Sequence, residues 1–332
     1  MRFYQSGRKT GSFESGVENA LAFLLTAPKF LFRSTALDKN FGTLAALPLP
    51  DQKSSRRLTP LRCERVDFVD GRGICLTVNI QPLAFVTEAV IFDSRFHKLH
   101  TLELPGLASR TRISSDGQYA ATTTFVHGDS YADTGFSTRT TIISMDTGAV
   151  VLDVEKLSVT KDGESFQNVD FNFWGVTFVK DSDHFYATLG TGGETYLIDG
   201  NLSSGKARVL RSGVECPSLS PDGTRIAFKK RNPGTLVTWG ISVLDLATLK
   251  DHPLAETRNV DDQVEWLDDH TVIYGLPQDA GDVDSAAQAS PGTPVLGGQA
   301  SIQTNTWAVR ADGTGTPKEL IKGAWSTIPV DA

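Results

Sequence analysis

The stretch Ser218-Leu-Ser-Pro-Asp-Gly-Thr-Arg-Ile-Ala-Phe228 restricts the fold more than any other part of the chain. Ile226 and Phe228 alternate with Arg225 and Ala227, the period of two of a pleated strand. Between the arms, Pro221 presets φ for the second position of a type I turn and Asp222 suits the third. Gly223 takes the left-handed position without a Cβ clash. The stretch is therefore a β-hairpin. Residues 240–248 read as a third strand ending in a turn, and residues 249–255 as a short fourth. Four short antiparallel strands in roughly 45 residues make one propeller blade.

The unit recurs. Ile113-Ser-Ser-Asp116-Gly117, Phe68-Val-Asp70-Gly71, Phe178-Val-Lys-Asp181 and Trp266-Leu-Asp268-Asp269 each open a similar hairpin. The marker acids Asp70, Asp116, Asp181, Asp222 and Asp268 are spaced by 46, 65, 41 and 46 residues. The long interval is assigned to the polar run between Gly128 and Arg139. A hydrophobic strand closing on an acid recurs at Asp93, Asp146, Asp199, Asp245 and Asp312. Five registered copies predict an all-β propeller of four-stranded antiparallel blades. Six blades are favoured over five, the sixth assembled from residues 34–62 or from weak strands near the C-terminus.

Composition agrees. Thirty glycines and fifteen prolines suit a turn-rich fold, and a formal charge of −7 disfavours a nucleic-acid partner. No run of 18 apolar residues predicts a spanning helix. Cys63 and Cys75 flank the first hairpin, at a separation that lets its arms sit side by side. They are a candidate disulfide if the protein is exported, and buried thiols otherwise. Cys216 reads as a small core residue, and no C-x-x-C marks a zinc or redox site.

Three regions follow: residues 1–33 as an N-terminal helical extension, 34–60 as a linker or closing strand, and 61–332 as the propeller. Residues 12–31 have near-helical apolar spacing (Val17, Leu21, Leu24, Leu25, Leu31), with Ser12 or Ser15 as cap and Pro28 interrupting or ending the helix. The basic opening lacks the apolar core and cleavage site of a secretory signal. Residues 13–33 resemble a helix of a family of bacterial domains of unknown function found beside c-type cytochrome modules. No C-x-x-C-H accompanies the helix, so no haem role follows. The small, polar residues 278–294 read as a long loop in the last blade.

The Ser-Pro-Asp-Gly-Thr-Arg-Ile-Ala-Phe hairpin, with Val243-Leu-Asp-Leu-Ala-Thr248 after it, resembles the repeat of TolB-type propellers. Residues 260–274 and 307–315 follow the same pattern, and the resemblance covers about residues 61–328. It is similar to short TolB-like proteins made of a propeller alone. The resemblance implies a monomeric, periplasmic, cell-surface or secreted protein that binds another protein at a propeller face, in envelope transport or integrity. The α/β domain that precedes the propeller in TolB has no counterpart in residues 1–62.

Candidate chemistry is sparse. The loop His127-Gly-Asp129-Ser-Tyr131-Ala-Asp133-Thr-Gly-Phe136 hangs from one face and is the first candidate contact. Asp261 and Asp262 precede a strand at a channel mouth, where a cation or partner could bind. Asp268 and Asp269 lie in a hairpin turn and read as structural. His97 and His100 point to opposite strand faces and are no metal pair. Gly190-Thr-Gly-Gly193 and Gly313-Thr-Gly-Thr316 read as turns rather than phosphate loops. Phe171, Phe173 and Trp174 read as packing between blades. No G-x-S-x-G motif is present. A non-enzymatic binding module without a cofactor is thus the leading reading. The alternative is a metal-dependent propeller enzyme of the lactonase or lyase type. It would need a divalent cation such as calcium, with Asp261, Asp262, Asn168 and Asp170 converging on the axis.

Overall fold

A computed structural model describes residues 29–49, 55–81, 84–128, 135–234, 236–278 and 302–330. The chain forms a six-bladed β-propeller. Strands β1 (Lys29–Ser34), β2 (Thr43–Pro48) and β3 (Arg57–Arg62) are the outer three of blade 1. Blade 2 holds β4 (Arg65–Val69), β5 (Arg72–Gln81), β6 (Ala84–Asp93) and β7 (Lys98–Pro105). Blade 3 holds β8 (Leu107–Ile113), β9 (Tyr119–His127), β10 (Ser137–Ser144) and β11 (Val150–Asp153).

Between blades 3 and 4, β12 (Ser158–Lys161) and β13 (Glu164–Phe166) form an extra hairpin. Blade 4 proper is β14 (Asn172–Phe178), β15 (His184–Thr191), β16 (Glu194–Asn201) and β17 (Lys206–Ser212). Blade 5 is β18 (Glu215–Leu219), β19 (Arg225–Arg231), β20 (Trp239–Asp245) and β21 (Asp251–Pro253). Blade 6 is β22 (Glu265–Asp268), β23 (Thr271–Pro277), β24 (Thr304–Arg310) and β25 (Lys318–Ile321). The last strand, β26 (Ala324–Val330), returns to blade 1 and pairs antiparallel with β1, Leu31 opposite Ile328. Ring closure thus joins the two ends of the described chain and removes two sheet edges.

Two expectations are corrected. The predicted helix over residues 12–31 overlaps β1, and residues 29–31 are strand; residues 12–28 lie outside the described residues. Lys29-Phe-Leu-Phe-Arg-Ser34 is buried on both sides, because a second strand is sandwiched between neighbouring blades. Phe30-Leu-Phe32, three consecutive apolar residues between Lys29 and Arg33, carries no period that separates strand from helix. Second, the long interval between Asp116 and Asp181 holds the β12–β13 hairpin as well as the loop after Gly128. β12 pairs parallel with β17 and extends blade 4 to six strands. Phe166 packs on Phe171 and Tyr196, with ring centroids at 5.2 and 5.8 Å, and holds the hairpin there.

The hairpin turns explain the repeat. Gly223 has φ +74° and its N–H donates to Ser220 O at 2.8 Å. Asp222 Oδ1 accepts from Ser220 Oγ (2.5 Å) and Thr224 N (3.0 Å), while Ser220 Oγ accepts from Arg225 N (3.0 Å). Blade 3 repeats the arrangement: Asp116 Oδ1 takes Ser114 Oγ (2.6 Å) and Gln118 N (3.0 Å), and Ser114 Oγ takes Tyr119 N (3.0 Å). Blade 2 differs. Val69 pairs with Arg72 across two residues, Asp70 and Gly71, both left-handed, which is the type I′ pattern.

The core is a ring of wedges, each between consecutive blades. Leu31, Val66, Phe68 and Phe92 fill the wedge of blades 1 and 2. Ile74, Ile91, Ile113 and Ile143 fill that of 2 and 3, and Phe173, Val176, Phe185 and Ile198 that of 3 and 4. Phe228 and Leu244 pack with Leu197, Val243 with Val272, and Phe30 and Phe32 with Ile273 to complete the circle. Each fully buried aliphatic or phenyl side chain contributes about 1.5–3 kcal/mol. Side chains also bond inner strands across the wedges: Ser326 Oγ accepts Val66 N (3.2 Å), Asp67 Oδ2 accepts Ile113 N (2.7 Å), and Thr177 Oγ1 accepts Leu219 N (3.1 Å).

Cys63 and Cys75 stand in disulfide geometry with Cα atoms 5.3 Å apart, and Cys216 is a buried free thiol. Thiol titration of oxidised protein in denaturant is expected to find one reactive cysteine, and none while folded. Three thiols after purification without reductant would refute the pairing.

Candidate functional site

The ends of the propeller differ. One end, here the turn face, carries the short turns between first and second strands. The opposite end, the loop face, carries the longer connections, including residues 128–136, 167–171, 232–238 and 254–264. Among the sequence candidates, His127 ends β9 on the loop face, and Phe136 lies at the return of the same loop. Asp129, Tyr131 and Asp133 lie outside the described residues.

Phe136 is held in place. Its ring meets Trp174 edge-on at 5.3 Å and Phe125 at 6.2 Å. Asn172, at the start of β14, locks the base of the loop. Its Oδ1 accepts Thr138 N (2.8 Å) and Thr138 Oγ1 (2.6 Å), and its Nδ2 donates to Phe136 O (3.3 Å). Beside Phe136 opens a groove of about 440 Å³, lined also by Asp170, Asn172, Trp174, Glu194 and Arg231. Asp170 accepts Thr191 Oγ1 (2.5 Å) and Gly192 N (2.7 Å), and these bonds hold its carboxyl below the usual range. Asn168 Nδ2 donates to the same Thr191 hydroxyl (3.0 Å). Arg231 Nε donates to the buried Glu215 at 2.5 Å. Val126, Val169 and Leu236, in the segments that carry the groove, are exposed. A polar groove with an anchored ring and an apolar surround suits a macromolecular contact.

Asp261 and Asp262 do not join Asn168 and Asp170. Asp261 pairs with the buried Lys229, whose ammonium lies 4.0 Å from the centre of the Trp239 ring. Asp262 pairs with Arg65 at 2.8 Å and accepts Gly275 N at 2.8 Å, and Arg65 stacks on Trp325 at 3.8 Å. Both acids lie in the connection that leads into β22, and each meets its own cation. Among the described residues, no three His, Cys, Asp or Glu side chains are placed to hold a metal ion. His97 bonds Asp93 Oδ2 (3.2 Å) and His100 bonds Asp146 O (2.7 Å). The Asp268–Asp269 turn is structural: Asp269 Oδ1 accepts Asp222 N from the adjacent blade at 2.9 Å.

The axis holds a second arrangement, which the sequence reading missed. Arg112 on blade 3 reaches across to Glu265 on blade 6, and also donates to Ser218 Oγ (3.2 Å) on blade 5. Gln263 Nε2 spans the same gap to Thr111 O (3.3 Å). Asp67 joins them with both oxygens engaged, Oδ1 by Phe68 N (2.8 Å) and Oδ2 by Ile113 N. Burial pushes both carboxyls up; Arg112 opposes this, and the Asp67 charge raises Glu265 further. A cavity of about 280 Å³ on the turn face ends on this triad. The signal was present in Arg65-Val-Asp67-Phe, Arg110-Thr-Arg112-Ile and Gln263-Val-Glu265-Trp, where charged or polar residues alternate with core residues ahead of each turn.

The pH response of stability follows. Burial raises the proton affinity of Asp67 and Glu265 above that of the unfolded chain, so the stability linked to them is present at low pH and is expected to fall as pH rises through the range in which the folded acids ionise. Glu155, pushed up to about 8 by burial, acts in the same direction. Urea midpoints should decline between pH 5 and 8, less steeply in Glu265→Gln than in wild type. Parallel declines would mean that the axial acid titrates normally.

No protein-family profile and no curated protein matches the sequence. Solved structures do match in fold. TolB from Acinetobacter baumannii is 14% identical with a TM-score of 0.58, over 91% of this chain and 66% of that one. A putative TolB from Agrobacterium tumefaciens is 12% identical with a TM-score of 0.51, over 92% of this chain and 97% of that one. An oligogalacturonate lyase in complex with manganese is 12% identical with a TM-score of 0.48, over 72% and 73%. This chain spans just under two thirds of the Acinetobacter protein, and the likeness is one of fold.

Proposed function

We propose that this chain is a TolB-like, non-enzymatic propeller that binds a protein partner at the loop-face groove, outside the cytoplasm. The anchored Phe136 beside the 440 Å³ groove carries the reading. A ring already fixed on Trp174 and Phe125 loses little side-chain entropy when a partner covers it, which favours affinity. The Cys63–Cys75 geometry supports an oxidising compartment. Among the described residues, no helix is long and apolar enough to cross a membrane. A role in envelope transport or integrity rests on the resemblance to TolB-type propellers.

The binding reading is favoured over a lactonase or lyase because Asp261 and Asp262 are spent on Lys229 and Arg65. Crosslinking pull-downs from an envelope extract are expected to recover one partner with wild type and about tenfold less with Phe136→Ala, a variant whose lost contacts with Trp174 and Phe125 lower the melting temperature while circular dichroism shows the fold retained. Equal recovery would move the contact off the groove. In metal-stripped protein, calcium, magnesium and manganese should leave the melting temperature unchanged. A stoichiometric rise would favour the enzyme reading.

A further inference from the structure

Blade 3 passes to blade 4 through a single 3-10 turn, Val154–Lys156, which follows β11 and leads into β12. The turn packs on β10 of blade 3 and on β14 of blade 4, with Val154 fully buried. Glu155 bonds both strands. Its carboxyl accepts Thr140 N at 3.1 Å from β10 and the Phe173 N–H from β14. Phe173 O in turn takes the hydroxyls of Thr138 (2.8 Å) and Thr140 (2.6 Å). Phe173 stands between Asn172 and Trp174, the two residues of β14 that hold Phe136. One carboxyl therefore braces the strand that carries the loop-face groove.

A second carboxyl stands two residues away. Asp153 occupies the N-cap of the turn, yet its side chain caps no N–H. Its Oδ2 takes Arg139 Nη2 at 2.7 Å and Lys156 Nζ at 3.4 Å. Its Oδ1 is buried and has no hydrogen-bond partner among the described residues. A buried acceptor of this kind calls for a donor. Few charges face the pair. β10 supplies only Arg139, and β14 supplies none. Lys156 reaches Asp153 from the solvent side, and Lys161 of β12 lies over the rings of Phe166 and Tyr196. Both nearby cations thus pair with Asp153, and among the described residues none pairs with Glu155.

We propose that Asp153 and Glu155 share one proton and form a pH-sensitive brace for the loop-face groove. The inference rests on the reading of that groove as the contact surface and adds its regulation. With the proton in place, Glu155 donates it to Asp153 Oδ1 and still accepts the Thr140 and Phe173 N–H groups. When the proton leaves to solvent, two carboxylates adjoin in a half-buried site and repel. The 3-10 turn is the softest element there, so Glu155 swings to water. Thr140 N and Phe173 N then lose their acceptor, and β14 loosens beside Trp174. Burial, and the Asp153 charge after it, push Glu155 up to about 8 against its backbone bonds and Arg139. A raised value means that the brace is present at lower pH and is lost as pH rises through it.

The test is a pH titration of the folded, nitrogen-15-labelled chain by NMR. In wild type, the Thr140 and Phe173 amides and the Trp174 indole should shift together with one midpoint near 8. Asp153→Asn keeps an acceptor for the proton but removes the like charge, and should lower that midpoint by about one unit. Glu155→Gln should abolish the shared titration and hold the low-pH positions throughout; should it not fold, Asp153→Asn alone decides. Partner recovery in the crosslinking pull-down should fall several-fold above the midpoint in wild type and stay constant in Glu155→Gln. A midpoint within the ordinary carboxylate range, the same midpoint in Asp153→Asn, a titration that persists in Glu155→Gln, a Trp174 indole that stays fixed while the amides move, or partner recovery independent of pH in wild type would each overturn the brace. If the pull-down recovers no partner at any pH, the groove reading falls, and the NMR titration still decides whether the two acids share the proton.

Discussion

The hydrogen bonds between β26 and β1 close the ring, and closure fixes both the turn face and the loop face. Each blade is a small sheet with two apolar faces and cannot bury either alone. Its stability comes from the wedges it shares with both neighbours, so every blade depends on the circle being complete. Leu31, Val66 and Ile328 belong to a single wedge although they stand near opposite ends of the described chain. Joining positions so far apart carries a large loop-closure cost, and the apolar surface of two wedges offsets it.

Closure also forces charged side chains together. The inner strands converge on the axis, where backbone is close and water is limited. Apolar side chains cannot fill a tapering hole and still pair with both neighbours. Here the space is taken by Arg65, Asp67, Arg112, Asp262 and Glu265, each bonded to another blade. Buried ion pairs are costly to desolvate and contribute little net stability, but removing one partner is severe. Their value in this fold is register: a strand displaced by one residue would turn Arg112 into a wedge and Ile113 into the axis.

The two ends of the molecule differ for a reason visible in the repeat. First-to-second-strand turns are short and each carries an acid, bonded in a Ser–Asp network in blades 3 and 5 and set in a type I′ turn in blade 2. Connections on the loop face have no such constraint, and there Phe136, Asn172 and Arg231 build an individual groove. Asn172 is the residue that makes the groove definite, because it bonds the loop base and Phe136 O together.

Local features determined the blade. The turn residues Ser220, Pro221, Asp222 and Gly223 act within one hairpin, and alternation reports which side of a strand is apolar, so both were legible without tertiary information. The pairing of Cys63 with Cys75 was legible as one of two readings for the same reason of nearness in sequence. What the chain order could not reveal was partnership at a distance. β1 was hidden because a strand buried on both faces has no alternation. The β12–β13 hairpin was hidden because its place depends on a parallel partner some fifty residues on. Asp261 and Asp262 looked like a joint site, yet in the connection before β22 they pair separately with Lys229 and Arg65. Arg112 and Glu265 meet only because blades 3 and 6 face each other across the axis. The sequence by itself determined the repeating unit, since its physics is local. Tertiary structure alone decided which charges meet on the axis and which loop side chains share a groove, since that depends on how six units close into a ring.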